Sequence, residues 1–77
     1  MNNINKNHKR VHVTNCYDPL KFTECIRNVT GKCVSDASAI AKATTGGVLL
    51  LNESSIMPEE WEKITSEMKD LLKWEYI

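Results

Sequence analysis

The chain has 77 residues, 42% apolar and 26% charged, and its ten basic and ten acidic side chains balance to a net charge of zero. That length allows one small domain, whose folding buries only about 60% of the surface of the extended chain, so every apolar face must be used. The longest apolar run, "GVLLL" at 47–51, is the size of a strand, so neither a signal peptide nor a membrane span is expected.

The chain is therefore expected to be soluble, unprocessed and cytoplasmic, in the host cytoplasm if the source is viral. Three cysteines, Cys16, Cys25 and Cys33, form no Cys-x-x-Cys pair and leave one thiol over. This fits reduced thiols better than a disulfide framework or a zinc ribbon. Charge is spread unevenly. Residues 1–12 carry Lys6, Lys9 and Arg10 and no acid, whereas residues 53–77 carry three bases and seven acids.

Residues 1–9, "MNNINKNHK", hold one apolar residue beyond the initiator and read as a basic arm with nothing to bury. "RVHVTN" alternates apolar and polar side chains and predicts a short strand. In "YDPLKFTECIRNVTG", Asp18 is placed to cap a helix and Pro19 stands at its first position. Phe22, Cys25, Ile26 and Val29 then recur on one face, and Gly31 ends the helix in the left-handed conformation, predicting a helix over about 19–30. A second helix is expected from about Val34 to Thr45. Val34, Ala37, Ile40 and Ala41 would be buried, Ser35 or Asp36 would accept the free N–H groups, and Gly46-Gly47 would stop it. "VLLL" reads as a fully buried strand and "NESS" as a polar turn. Pro58 opens a third helix with Trp61, Ile64, Met68 and Leu71 inward and Glu59, Glu60 and Glu62 near its start, where the helix dipole favours negative charge. "KWEYI" closes the chain as a strand. The expected domain, 10–77, is α+β, with order β-α-α-β-α-β and three helices on one face of a three-stranded, mostly antiparallel sheet.

The stretch "IRNVTGKCVSDASAIAK", with Pro19 ahead and "PEEWEKITSEM" and a final strand behind, resembles the C-terminal domain of the bacterial ribosomal stalk protein over roughly residues 11–77. Ile26, Arg27, Thr30, Gly31, Val34 and Ala37 carry the likeness. The opening "YDPLKF" is similar to the Clp protease adaptor, which shares that architecture. The stalk resemblance implies a partner-binding surface on the outward side of the two-helix hairpin, where Leu20 and Arg27 keep an apolar and a basic position. Glu24, Ser35 and Ser38 replace basic residues there, so binding of elongation factors in the stalk's manner is not expected. The adaptor's Asn-Asp-Asp entry is replaced by "TNCY", in which Thr14 and Asn15 are only weak echoes of it, and the position of its pocket histidine falls near Thr44-Thr45.

His8, His12 and Cys16 are spaced four and four, as three metal ligands on a helix would be. On a strand, however, such residues stand about 13 Å apart, so no metal site is expected. No nucleophile, base and orienting group assemble in the sequence, and no enzyme or cofactor is expected. Cys25 reads as a small buried hydrophobe and Cys33 as an exposed thiol in the interhelix turn.

Two functional classes remain. One is a protein-interaction module docking on a larger protein through Leu20, Glu24, Arg27, Val34 and Ser38. Within it lies a virus- or plasmid-encoded inhibitor, whose acids Glu59, Glu60, Glu62, Glu67 and Asp70 would cover a basic site. The other is RNA or DNA binding through Lys6, Lys9 and Arg10.

Overall fold

A computed structural model describes residues 10–77. The expected arm at 1–9, with Lys6 and Lys9, lies outside the described residues. The elements run β1 (Arg10–Cys16), α1 (Pro19–Thr30), α2 (Val34–Thr44), β2 (Val48–Leu50), α3 (Pro58–Met68) and β3 (Leu72–Tyr76), with one turn of 3-10 helix, Lys69–Leu71, leading into β3. The order is β-α-α-β-α-β, a small α+β domain. The sheet is ordered β2-β1-β3 and both strand pairs are antiparallel.

Local signals place α1 closely. Asp18 Oδ1 accepts the Lys21 N–H at 3.1 Å, Pro19 follows, and Gly31 closes the helix at φ 78° with its N–H donating to Arg27 O at 2.8 Å. The corner is tightened by Thr30, whose hydroxyl donates to Ile26 O and accepts the Lys32 N–H at 3.2 Å. The second helix starts differently from expectation. Its cap is Cys33, in extended conformation, whose side chain accepts no backbone N–H; neither Ser35 nor Asp36 is the cap, although Asp36 lies in the first turn. Val34, expected in the core, is 57% exposed. It stands at the first position of the helix, one turn before Ala37 and two before Ala41, which take the inward positions with Thr44.

Directly opposed residues of an antiparallel pair share a face. Val11 opposes Leu49 and Tyr76, and Val13 opposes Trp74, on the helix-covered side; Arg10 opposes Leu50, and His12 opposes Val48 and Glu75, on the open side. The expectation of a fully buried "VLLL" therefore fails. Leu49 and Leu51 are 6% and 2% exposed, but Val48 and Leu50 are 52% and 50% exposed. The cause is the single layer of helices: a strand covered on one side must alternate. The turn from Thr44 into β2 is locked to β1, because Gly46 N–H donates to Val13 O at 2.8 Å and the His12 Nδ1–H donates to Gly47 O at 2.9 Å.

Buried side chains from all six elements meet in one core, including Val11, Phe22, Ile26, Ala37, Leu49, Trp61, Ile64 and Leu72. Trp61 is fully buried in it, edge-on to Phe22 at 6.2 Å and to Trp74 at 5.4 Å between ring centroids. Its indole N–H is buried without an acceptor. Ile56, outside any expected element, is fully buried and bridges to Leu51. The third helix ends at Met68, so Leu71 packs against the core from the 3-10 turn and not from α3.

Candidate functional site

Helix α1 divides its surface by period. With Phe22, Cys25 and Ile26 inward, a rotation of about 100° per residue carries Leu20, Thr23 and Arg27 to the outer side, toward α2. On α2, the same rotation from Ala37 and Ala41 places Val34, Ser38, Lys42 and Thr45 along the side toward α1. The helices are joined by only Gly31, Lys32 and Cys33, so they run back along each other.

Between them lies a groove of about 420 Å³ lined by Pro19, Leu20, Thr23, Ser38, Ala41, Lys42 and Thr45. Small residues, Ser38 and Ala41, leave space along its floor. Leu20, at its rim, is 78% exposed, the most exposed large apolar side chain among the described residues. Of the residues expected on this surface, Leu20 and Ser38 meet in the groove. Arg27 and Val34 continue the same two rows toward the corner, outside the lining, and both are exposed. Glu24 is exposed too, rotated about 100° from Thr23 and away from the groove. Thr23, Lys42 and Thr45 were not singled out from the sequence, although Lys42 stands one turn beyond Ser38 and could have been found by extending that row.

A second concavity, of about 670 Å³, opens on the other side of α1. It is lined by Cys25, Asn28 and Val29 of α1 and by Glu59, Glu62, Lys63, Ser66 and Glu67 of α3. It thus gathers three of the five expected acids. Glu60 is used otherwise, since its Oε1 accepts the Met57 N–H at 2.8 Å at the start of α3, and Asp70 lies in the 3-10 turn, outside the cleft. Burial raises the Cys25 thiol pKa, and the nearby Glu67 raises it further. Such a thiol is less ionised than a free one and a poor nucleophile at neutral pH.

The open face of the sheet carries Val48, Leu50 and, at the end of the chain, Ile77, which is 52% exposed, beside exposed Arg10. Of the basic residues expected to contact nucleic acid, Arg10 alone is described. His12 and Cys16 lie on β1, and His8 is outside the described residues. Among the described residues, no three His, Cys, Asp or Glu side chains are grouped to hold a metal ion, and no helix is long and apolar enough to cross a membrane. Cys33 is exposed and Cys16 half-buried, and all three cysteines are free thiols. No protein-family model, curated protein or solved structure matches the chain.

Proposed function

We propose that this domain is a non-catalytic interaction module that docks on a larger protein through the α1/α2 hairpin. The observation that carries the reading is the groove itself: a concave, mainly apolar surface with Leu20 held almost wholly in solvent at its rim. A leucine in that position contributes little to folding, and an exposed apolar side chain beside a concavity is what a partner's surface can cover. The likeness to the stalk domain, whose partners bind the same side of its hairpin, agrees with this choice of face. A second reading keeps the acidic α1/α3 cleft, with Glu59, Glu62 and Glu67, as the surface by which an inhibitor covers a basic site. Nucleic-acid binding through Lys6, Lys9 and Arg10 is the third.

The three separate in one experiment. The tagged full chain is used for capture from native cell extract, with and without nuclease, and bound proteins are identified by mass spectrometry. Docking through the hairpin predicts one partner, retained after nuclease and lost in Arg27→Glu. Normal capture by Arg27→Glu, with loss in the double variant Glu62→Lys, Glu67→Lys, moves the contact to the acidic cleft. Glu60 is left out of that variant because it supports the start of α3. Capture that disappears with nuclease and falls steeply with salt means nucleic acid.

A further inference from the structure

The groove's chemistry narrows what would occupy it. We infer that the α1/α2 groove accepts an amphipathic helix whose apolar side seats against Leu20 and whose flanks carry acidic residues; this rests on the docking reading above.

Shape and charge carry the argument. The groove runs between two helices, is floored by Ser38 and Ala41, and is edged by Leu20 and Thr23. A mainly apolar concavity between two helices suits the apolar stripe of a third. The charges on the two groove-facing rows are of one sign. Lys42 lines the groove and Arg27 continues the α1 row, while Asp36 lies roughly opposite on α2. Glu24 is turned away from the groove relative to both Arg27 and Leu20. In the antiparallel hairpin, Lys42 sits near the level of Leu20 to Thr23, and Arg27 lies one turn or more nearer the corner. The two bases are thus about 7–8 Å apart along the hairpin, and they stand on opposite helices, Lys42 in the groove and Arg27 beyond its end. A helix laid between them meets one with each flank when its acids are one to two turns apart. A basic helix would meet like charge from both helices, so its exclusion follows from the same two residues.

The test is selection of a displayed library of helix-biased peptides, about 16 residues long, on the full 77-residue chain. The expected result is enrichment of peptides with leucine or a similar residue at helical spacing and net negative charge. Their binding, followed by amide shifts, should perturb Leu20, Thr23, Ser38 and Lys42. Leu20→Ala should weaken a selected peptide about tenfold. Lys42→Glu and Arg27→Glu, both exposed and expected to fold, should weaken it about two- to fivefold each, and replacing the peptide's acids by lysine should restore binding to the reversed double variant. Enrichment of basic or uncharged groove binders, or indifference to the two reversals, overturns the inference while leaving hairpin docking intact. Failure to enrich any groove binder also overturns it. Docking itself falls if the native partner is still captured normally by Arg27→Glu or by folded Leu20→Glu.

Discussion

Leu20 and Phe22 are two residues apart on one helix and should separate docking from folding. Phe22 is 0% exposed and packs edge-on against Trp61, whereas Leu20 is 78% exposed. Truncating a buried phenylalanine costs about 3–5 kcal/mol, and a single core of this size supplies about 3–5 kcal/mol in all. Phe22→Ala should therefore leave little folded protein. Full burial of a leucine contributes about 1.5–3 kcal/mol. With only about a fifth of Leu20 covered, Leu20→Glu removes roughly 0.5 kcal/mol. Part of that is returned because a carboxylate in the first turn of α1 is favoured by the helix dipole. A change of that size moves Tm by about 2–4 °C in a domain this small. Circular dichroism melts should then show a transition for Leu20→Glu close to that of the parent and none, or a broad one, for Phe22→Ala. Capture of the partner, at matched folded concentration, should be lost in Leu20→Glu. If Leu20→Glu melts far below the parent, the side chain is structural and the assignment of its row to the surface is wrong. If it folds and still captures normally, the groove is not the contact.

The glycines give a second comparison. Gly31, at φ 78° with open space around its Cβ position, should lose about 1 kcal/mol on mutation to alanine from backbone strain alone. Gly47→Ala should cost more, because its Cβ would lie 2.7 Å from Ala43 O, and melts of the two variants check the order. Lys69 closes α3 at φ 49°, an unfavourable backbone for a side-chain-bearing residue. Lys69→Gly should raise stability by about 1 kcal/mol in urea titration, and a loss would refute the strain. Burial raises the pKa of Cys16, Cys25 and Tyr76; Glu67 adds to the rise at Cys25 and Glu62 at Tyr76, while a backbone hydrogen bond at Asp18 partly opposes it at Cys16. Each raised group stabilises the fold fully below its unfolded pKa and loses that contribution as pH rises through the folded value. Stability should accordingly fall above about pH 9, the ordinary thiol range, and a flat profile from pH 8 to 11 would contradict it. Iodoacetamide should label Cys33 first and Cys25 last.

The legible parts of this fold are those whose signals are local. Asp18, Pro19 and Gly31 mark both ends of α1 without help from the rest of the chain, and the apolar period in between assigns its inner face. Burial of β2 was not legible, because "VLLL" reads alike whether one or both faces are covered; the missing second layer, a tertiary fact, exposes Val48 and Leu50. Ile56 was missed for the opposite reason. It stands with Met57 between a polar turn and Pro58, too short a pair to show a period, and it bridges to Leu51 in the core. Of the proposed docking surface, Leu20 and Arg27 could be placed outward from α1 alone. The groove could not, since Thr23 and Lys42 become neighbours of one surface only when the hairpin closes. The acidic set was divided by structure in the same way: charge count joined Glu60 to Glu59 and Glu62, but a hydrogen bond to Met57 N–H commits Glu60 to the helix start.

Helix α1 has a different neighbour on each of three sides, and this bears on how the domain would bind. Its inner stripe is locked to Trp61 through Phe22, its α3 side forms the acidic cleft, and its α2 side forms the groove. The corner between α1 and α2 is three residues long and held by the Gly31 cap and the Thr30 hydroxyl. Neither wall of the groove can therefore shift far without pulling Phe22 or Ala37 from the core. A surface held in this way loses little conformational entropy when covered, which is how a small groove can still bind usefully. The same rigidity would fix the spacing of Lys42 and Arg27, so that under the proposed docking a partner would be selected by where its acids fall and not only by how many it has. Loosening the corner with Gly31→Ala should accordingly weaken docking by more than its loss of stability accounts for, when binding is measured well below the melting transition. Equal affinity for the folded fraction of that variant would show that the groove adapts to its partner.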